Sequence, residues 1–234
     1  MAFPLFNGQL LYQKGSGLYN PDHTRFVLTI PKNASTYIAN WTLGNGWNIG
    51  NLVDEINNAP FNEIIVILRD PVARWISGIS QYLNSYILHP AGPNSPILLN
   101  EATVHNQYVT AEKFISWYNP IVERLLFDVI DQFDDHVYPQ HFYFAGFENT
   151  APIKFFYMDQ TFDSELSSYL RLAPDHTVDK NKGSDSQDIA MLESFFRDRL
   201  LIRPELLHRL KKNYKIDYDI IDKHFGARGR RSMR

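Results

Sequence analysis

The sequence predicts an α/β fold with a parallel central sheet flanked by helices, and three observations carry that expectation. Two short apolar runs, Phe26–Ile30 and Ile64–Leu68, are rich in β-branched residues and read as strands buried on both faces. Each run leads within a few residues into a helical pattern, and strands alternating with helices make parallel βαβ units. With 234 residues, 44% of them hydrophobic and 14% aromatic, the chain can bury the core of one large domain, residues 1–234, and is not a disordered polymer.

Taken in order, residues 1–24 form an N-terminal arm or hairpin, with turn signals at Gly15-Ser16-Gly17 and Asn20-Pro21-Asp22. The first strand stops at Pro31, a helix covers 35–43, and Gly44, Asn45, Gly46 and Gly50 mark a loop. The second strand ends at Arg69-Asp70-Pro71, where Asp70 is a good N-cap and Pro71 suits the first helical position. Val72, Trp75, Ile76, Ile79, Tyr82 and Leu83 then repeat at the spacing of one helical face, continued by Tyr86 and Ile87. Residues 88–110, with Pro90, Pro93 and Pro96, read as a loop insertion that shapes the acceptor side of a site. Helical spacing returns over 111–133 with a break at Pro120. Phe142–Phe147 and Lys154–Met158 read as strands, and 164–172, 188–199 and 204–214 as helices. The Arg-rich end, 227–234, has no apolar periodicity and reads as a frayed tail.

Charge and composition narrow the chemistry. Lys and Arg number 23 against 26 Asp and Glu, a net charge of −3, so the basic surplus of a general nucleic-acid binder is missing. The absence of Cys excludes disulfides, Cys-ligated metals and thiol catalysis. No signal-like start and no apolar run long enough for a bilayer is visible, so a soluble, cytoplasmic protein without membrane contact is expected.

Ligands of open α/β sheets bind at the carboxyl ends of strands, so both strand exits are where chemistry is expected. The first reads Pro31-Lys32-Asn33-Ala34-Ser35-Thr36-Tyr37: a tight loop with a lysine, small residues and hydroxyls, then a helix. Backbone N–H groups and a helix dipole aimed at one point favour phosphate or sulfate. The Gly-Lys pattern of an ATP-type loop is absent, and an ordinary turn capped by Asn33 or Ser35 remains the plain alternative. At the second exit, Arg69 and Ser77 lie eight residues apart. Arg69 at the mouth of the helix and Ser77 down its polar side can clasp one phosphate, since an arginine fork bonds two oxygens at once, and a surface Arg paired with Asp70 beside a solvated Ser is the plain alternative. Arg74 lies off that line and reads as a structural ion-pair partner. Trp47, in a Gly/Asn loop, is a candidate stacking platform.

These two segments resemble the 5′-phosphosulfate loop and the 3′-phosphate motif, R-[DN]-P-x-x-R-x-x-S, of sulfotransferases that use 3′-phosphoadenosine-5′-phosphosulfate (PAPS). The 37 residues between Lys32 and Arg69 suit that family. Asp135 to Gln140 is similar to the D-x-H-x-x-P-Q stretch of carbohydrate sulfotransferases, and Phe147-Glu148-Asn149 to the F-E-N that follows it. Lys180 to Ser184 resembles their late nucleotide loop, and Tyr214 to Tyr218 their Y-x-x-D-Y ending. The resemblance implies a P-loop-like fold, PAPS as cosubstrate, adenosine 3′,5′-bisphosphate as product and no metal. It implies Lys32 as the catalytic cation. Asn33, Ala34, Ser35, Thr36 and Tyr37 would hold the 5′-phosphate, Arg69 and Ser77 the 3′-phosphate, and Lys182 and Gly183 the nucleotide. The acceptor would be a hydroxyl, on a carbohydrate by the Asp135–Gln140 likeness, and His136 its base, with His141 or a carboxylate as alternatives. A nucleotide kinase and a non-catalytic glycan-binding module are the competing functions.

Overall fold

The computed structural model describes residues 5–6, 9–10, 14–56, 60–85, 110–128, 135–173, 186–226 and 228–229. The expected insertion at 88–110 apart from Thr110, and Lys182 and Gly183 of the late loop, lie outside these. In chain order the elements are β1 (Leu5–Phe6), β2 (Gln9–Leu10), β3 (Ser16–Tyr19), β4 (Arg25–Leu28), α1 (Ser35–Gly44), β5 (Asn48–Asn51), α2 (Leu52–Ile56), β6 (Glu63–Leu68) and α3 (Pro71–Leu83). There follow α4 (Ala111–Trp117), α5 (Pro120–Asp128), a 3-10 turn (Asp135–Val137), α6 (His141–Phe144), β7 (Ile153–Tyr157), α7 (Phe162–Leu170), α8 (Gln187–Ile202), α9 (Pro204–Asn213) and α10 (Lys215–Phe225).

The chain divides into two compact units, one of Phe3–Pro71, Pro139–Lys180 and Tyr214–Arg234, the other chiefly of Val72–Tyr138 and Asn181–Asn213. The first holds a five-stranded sheet in the order β5-β3-β4-β6-β7. Only β4, β6 and β7 are parallel, with Val27 opposite Ile65 and Val66 opposite Phe155. The expected parallel sheet is therefore mixed, because β3 pairs antiparallel with both β4 and β5. Residues 16–19 belong to this sheet, folded back on β4 through the Asn20–Thr24 turn, where the Asn20 carboxamide accepts from the N–H groups of Thr24 and Arg25. Asn48–Asn51 was expected as loop. Its Asn and Gly content hides a strand that full-length pairing with β3 supplies.

Alternate strand residues face opposite sides, and each side is covered. Leu18, Val27, Ile65, Ile67 and Phe156 pack with Tyr37, Ile38 and Trp41 of α1 and Phe162, Leu166 and Leu170 of α7. Trp47 is buried in the same cluster, so it is core and not a stacking platform. On the other side Phe155 lies 4.5 Å from the His224 ring, and Tyr157 5.4 Å from Phe225, both on α10.

The run Phe142–Phe147, read as a strand, is instead the short helix α6 followed by turns. Its aromatic residues favour a strand, but the Asp217 carboxylate captures the N–H groups of Gln140 and His141 and so closes a helical first turn. Gly146, at φ 94°, ends it.

The other unit is helical. Trp75 of α3 packs on Phe127 of α5 and Phe196 of α8 at 4.6 and 5.5 Å, as the apolar stripe of α3 requires. The break at Pro120 separates α4 from α5 as expected. Buried Glu123 accepts from Arg199 at 2.7 Å and Arg203 at 3.3 Å. Among the described residues no helix is long and apolar enough to cross a membrane.

The expected frayed tail is anchored where it is described. Arg228 pairs with Asp159 and, at 2.8 Å, with Glu165, while Tyr157 donates to the Gly229 carbonyl. The Arg228 hydrogen bond leads the causes that lower the Asp159 carboxyl to about 2, from 3.8. A carboxylate depressed in the folded state contributes stability above its unfolded value, and that contribution fades as pH falls through the folded one. Arg228→Ala is therefore expected to lower the melting temperature at pH 7. The gap from wild type should narrow from about pH 4 towards pH 2, as followed by circular dichroism; a gap of constant size would refute the pairing.

Candidate functional site

The loop after β4 turns sharply. Lys32 (φ 66°) and Ala34 (φ 56°) are both left-handed, with Asn33 between them. Such conformations are costly for residues with a Cβ and recur where backbone N–H groups are gathered around an anion. Ala34 is the N-cap of α1, so no side chain closes the helix, and no acidic residue stands in its first turn. The N-cap and first turn of this ten-residue helix thus contribute no carboxylate of their own to its positive end.

Asn33 faces inward and is buried. Its N–H bonds the Ile30 carbonyl at 3.1 Å, and its side-chain amide donates to the Ile67 carbonyl (2.7 Å) and to Gln140 Oε1 (2.6 Å). Asn33 therefore holds the loop against β6, while Ala34, Ser35 and Thr36 open the helix. Tyr37 stacks on Trp41, 6.0 Å between ring centroids, and belongs to the core.

From the next strand, Arg69 reaches over this loop and donates through Nη1 to the Lys32 carbonyl at 3.0 Å. The two expected motifs, on neighbouring parallel strands, meet at the carboxyl ends of β4 and β6. The backbone of Arg69 is clamped by Gln140, which accepts from its N–H and donates to its carbonyl, both at 2.9 Å. Gln140 has no exposed surface, so its amide is a buried bridge between both strand exits. Its own N–H donates to Asp217 Oδ2 at 2.7 Å. Asp217 Oδ1 takes the His141 N–H and faces His141 Nδ1, each at 2.9 Å. Sequence reasoning singled out the stretches holding Gln140 and Asp217 without assigning either residue a role.

In the helical unit, Arg74 is buried and donates to the Tyr138 carbonyl. Gly78, beside half-buried Ser77, faces His136: a Cβ there would stand 2.6 Å from the His136 carbonyl oxygen, so only glycine fits. The α3 backbone at Gly78, next to Ser77, thus packs on the His136 backbone within the helical unit, and Lys32, its loop and Arg69 meet within the sheet unit. Among the described residues no group of His, Asp and Glu is arranged to hold a metal ion.

No protein-family model, no curated protein and no solved structure matches the chain.

Gln140→Ala removes one acceptor used twice and one donor, leaving buried N–H groups of Asn33 and Arg69 without partners. A loss of about 2–4 kcal/mol in unfolding free energy is expected, on the scale of one to two orphaned buried groups. Urea titration checks it; a loss below about 1 kcal/mol would show that the bridge is dispensable.

Proposed function

We propose that the chain is a PAPS-dependent sulfotransferase on a P-loop-like α/β fold, moving a sulfuryl group to an acceptor hydroxyl, on a carbohydrate by the likeness of Asp135–Gln140. The observation that carries this reading is the hydrogen bond from Arg69 to the Lys32 carbonyl, which joins the two phosphate-type motifs at neighbouring strand exits. The start of α1 supports it, because its N-cap is an alanine and its first turn carries the hydroxyls of Ser35 and Thr36 and no acidic residue, a composition that suits an anion.

In this reading the acceptor oxygen attacks sulfur as the bond from sulfur to the bridging phosphate oxygen breaks. The electron pair leaves with adenosine 3′,5′-bisphosphate, and the hydroxyl proton passes to a base. The loop from Ala34 to Tyr37 positions the 5′-phosphate, and Lys32 neutralises charge growing on the leaving oxygen. Arg69 and Ser77 receive the 3′-phosphate, the group that distinguishes this donor from ATP. Positioning and charge stabilisation supply the catalysis, as in phosphoryl transfer.

The test is transfer from labelled PAPS to a panel of glycan, peptide and small-molecule acceptors, alongside thermal stabilisation by adenosine 3′,5′-bisphosphate and by ATP–magnesium. Stabilisation by the bisphosphate with label transfer is expected; stabilisation by ATP–magnesium alone would make the chain a nucleotide kinase. Lys32→Ala is expected to abolish nearly all transfer in a folded protein. Arg69→Ala and Ser77→Ala should each weaken the bisphosphate roughly 10- to 150-fold, the range for a lost hydrogen bond to a charged group. Adenosine 5′-phosphate should bind each variant nearly as it binds wild type.

A further inference from the structure

Asp217 is a buried carboxylate, 1% exposed, with three hydrogen bonds: two from the backbone of Gln140 and His141 and one with the His141 ring. Among the described residues its one salt-bridge partner is His141; no Lys or Arg meets it. Backbone N–H groups alone would suffice to cap α6, so the contact with Nδ1 needs a further explanation. A carboxylate that only accepts hydrogen bonds favours the tautomer with the proton on Nδ1. Nε2 is then left with a bare lone pair. The His141 side chain is 26% exposed, so the ring is reachable while its carboxylate is not. This is the arrangement by which a buried acid orients a histidine that takes a proton.

The dyad is also tied to the strand exits. Gln140, the residue before His141, bonds Asn33 beside Lys32 and both backbone groups of Arg69. The bridge ties the backbone that carries His141 to the Lys32 loop and to Arg69.

We propose that His141, oriented by Asp217, is the proton acceptor of the transfer reaction, in place of His136. The inference rests on the sulfotransferase reading above. As the acceptor oxygen bonds to sulfur and the bridging S–O bond breaks, Nε2 takes the hydroxyl proton and the dyad becomes imidazolium facing carboxylate. The Asp217 charge stabilises that cation without itself taking the proton. Asp217 is a positioning residue; His141 touches the substrate.

His141→Asn is the deciding variant, because an Asn amide can still donate to Asp217 where Nδ1 does but offers no Nε2. With labelled PAPS and the acceptor found for wild type, kcat should fall roughly 100- to 10,000-fold, the usual contribution of a positioned base. The affinity for adenosine 3′,5′-bisphosphate and the acceptor KM should stay within about 3-fold, on the expectation that binding and proton transfer are separable. His141→Gly should recover part of its rate with added imidazole. An unchanged kcat in His141→Asn, or equal loss of rate and bisphosphate affinity, overturns the proposal. So does a loss of rate in His136→Asn with none in His141→Asn. Nitrogen-15 NMR of histidine-labelled wild type reads the ring without any variant. The His141 proton should sit on Nδ1, and the Nε2 signal should move when adenosine 3′,5′-bisphosphate is added; a proton on Nε2, or a signal indifferent to the nucleotide, overturns it. A wild-type protein that neither binds the bisphosphate nor moves label fails the sulfotransferase reading itself, whereas one that does both while His141→Asn keeps its rate fails the dyad alone.

Discussion

One buried amide and one buried carboxylate hold the strand exits in register. Gln140 cannot reach water, so its amide must find partners in the protein, and it finds them on two loops that are 107 and 71 residues away in the chain. Asp217 faces the same demand and meets it through the N–H groups that begin α6. In a low-dielectric interior such a network is strong when complete and expensive when one member is missing. The positions of Asn33, Arg69 and His141 follow from this requirement more than from their own local preferences.

The same network leaves two helix starts in opposite conditions. The start of α6 is closed by the Asp217 carboxylate, which answers its N–H groups with negative charge. The start of α1 is opened by a left-handed alanine and has no acid in its first turn. Both ends want an anion. One receives a permanent anion from the protein, and the other has none in its own first turn. Turning Asn33 inward helps, since a side chain that could cap the helix is spent on Gln140 and on the Ile67 carbonyl.

Much of this was legible in the residues themselves. The β-branched runs at 26–30 and 64–68 announced buried strands because nothing else suits a continuous apolar segment of that length. Pro71 marked a helix start through its missing N–H, and Pro120 a break in the helical run. Lys32 and Arg69 stood out because cationic side chains at strand exits suit an anion. What stayed hidden depends on partners distant in the chain. The aromatic run at 142–147 has strand-forming residues, and only a carboxylate 76 residues further on makes its first turn helical. Strand β5 is invisible in Asn-Ile-Gly-Asn until β3 lies beside it. Arg74 reads as a structural residue, but the carbonyl of Tyr138 that it meets lies 64 residues on and is not visible in its own segment.

The order in which the bridging residues leave the ribosome has a consequence of its own. Both strand exits and the segment carrying Gln140 are synthesised well before the carboxylate that closes the bridge. Until Asp217 emerges, the N–H groups of Gln140 and His141 lack their acceptor, and the aromatic run 142–147 is free to extend as the strand its composition favours. Each unit also draws on stretches of chain separated by the other, so neither is finished when the first hundred residues are made. Contacts of such long sequence separation form late and leave apolar segments exposed meanwhile. The bridge is thus a late-forming contact, completed only when the helix carrying Asp217 is in place.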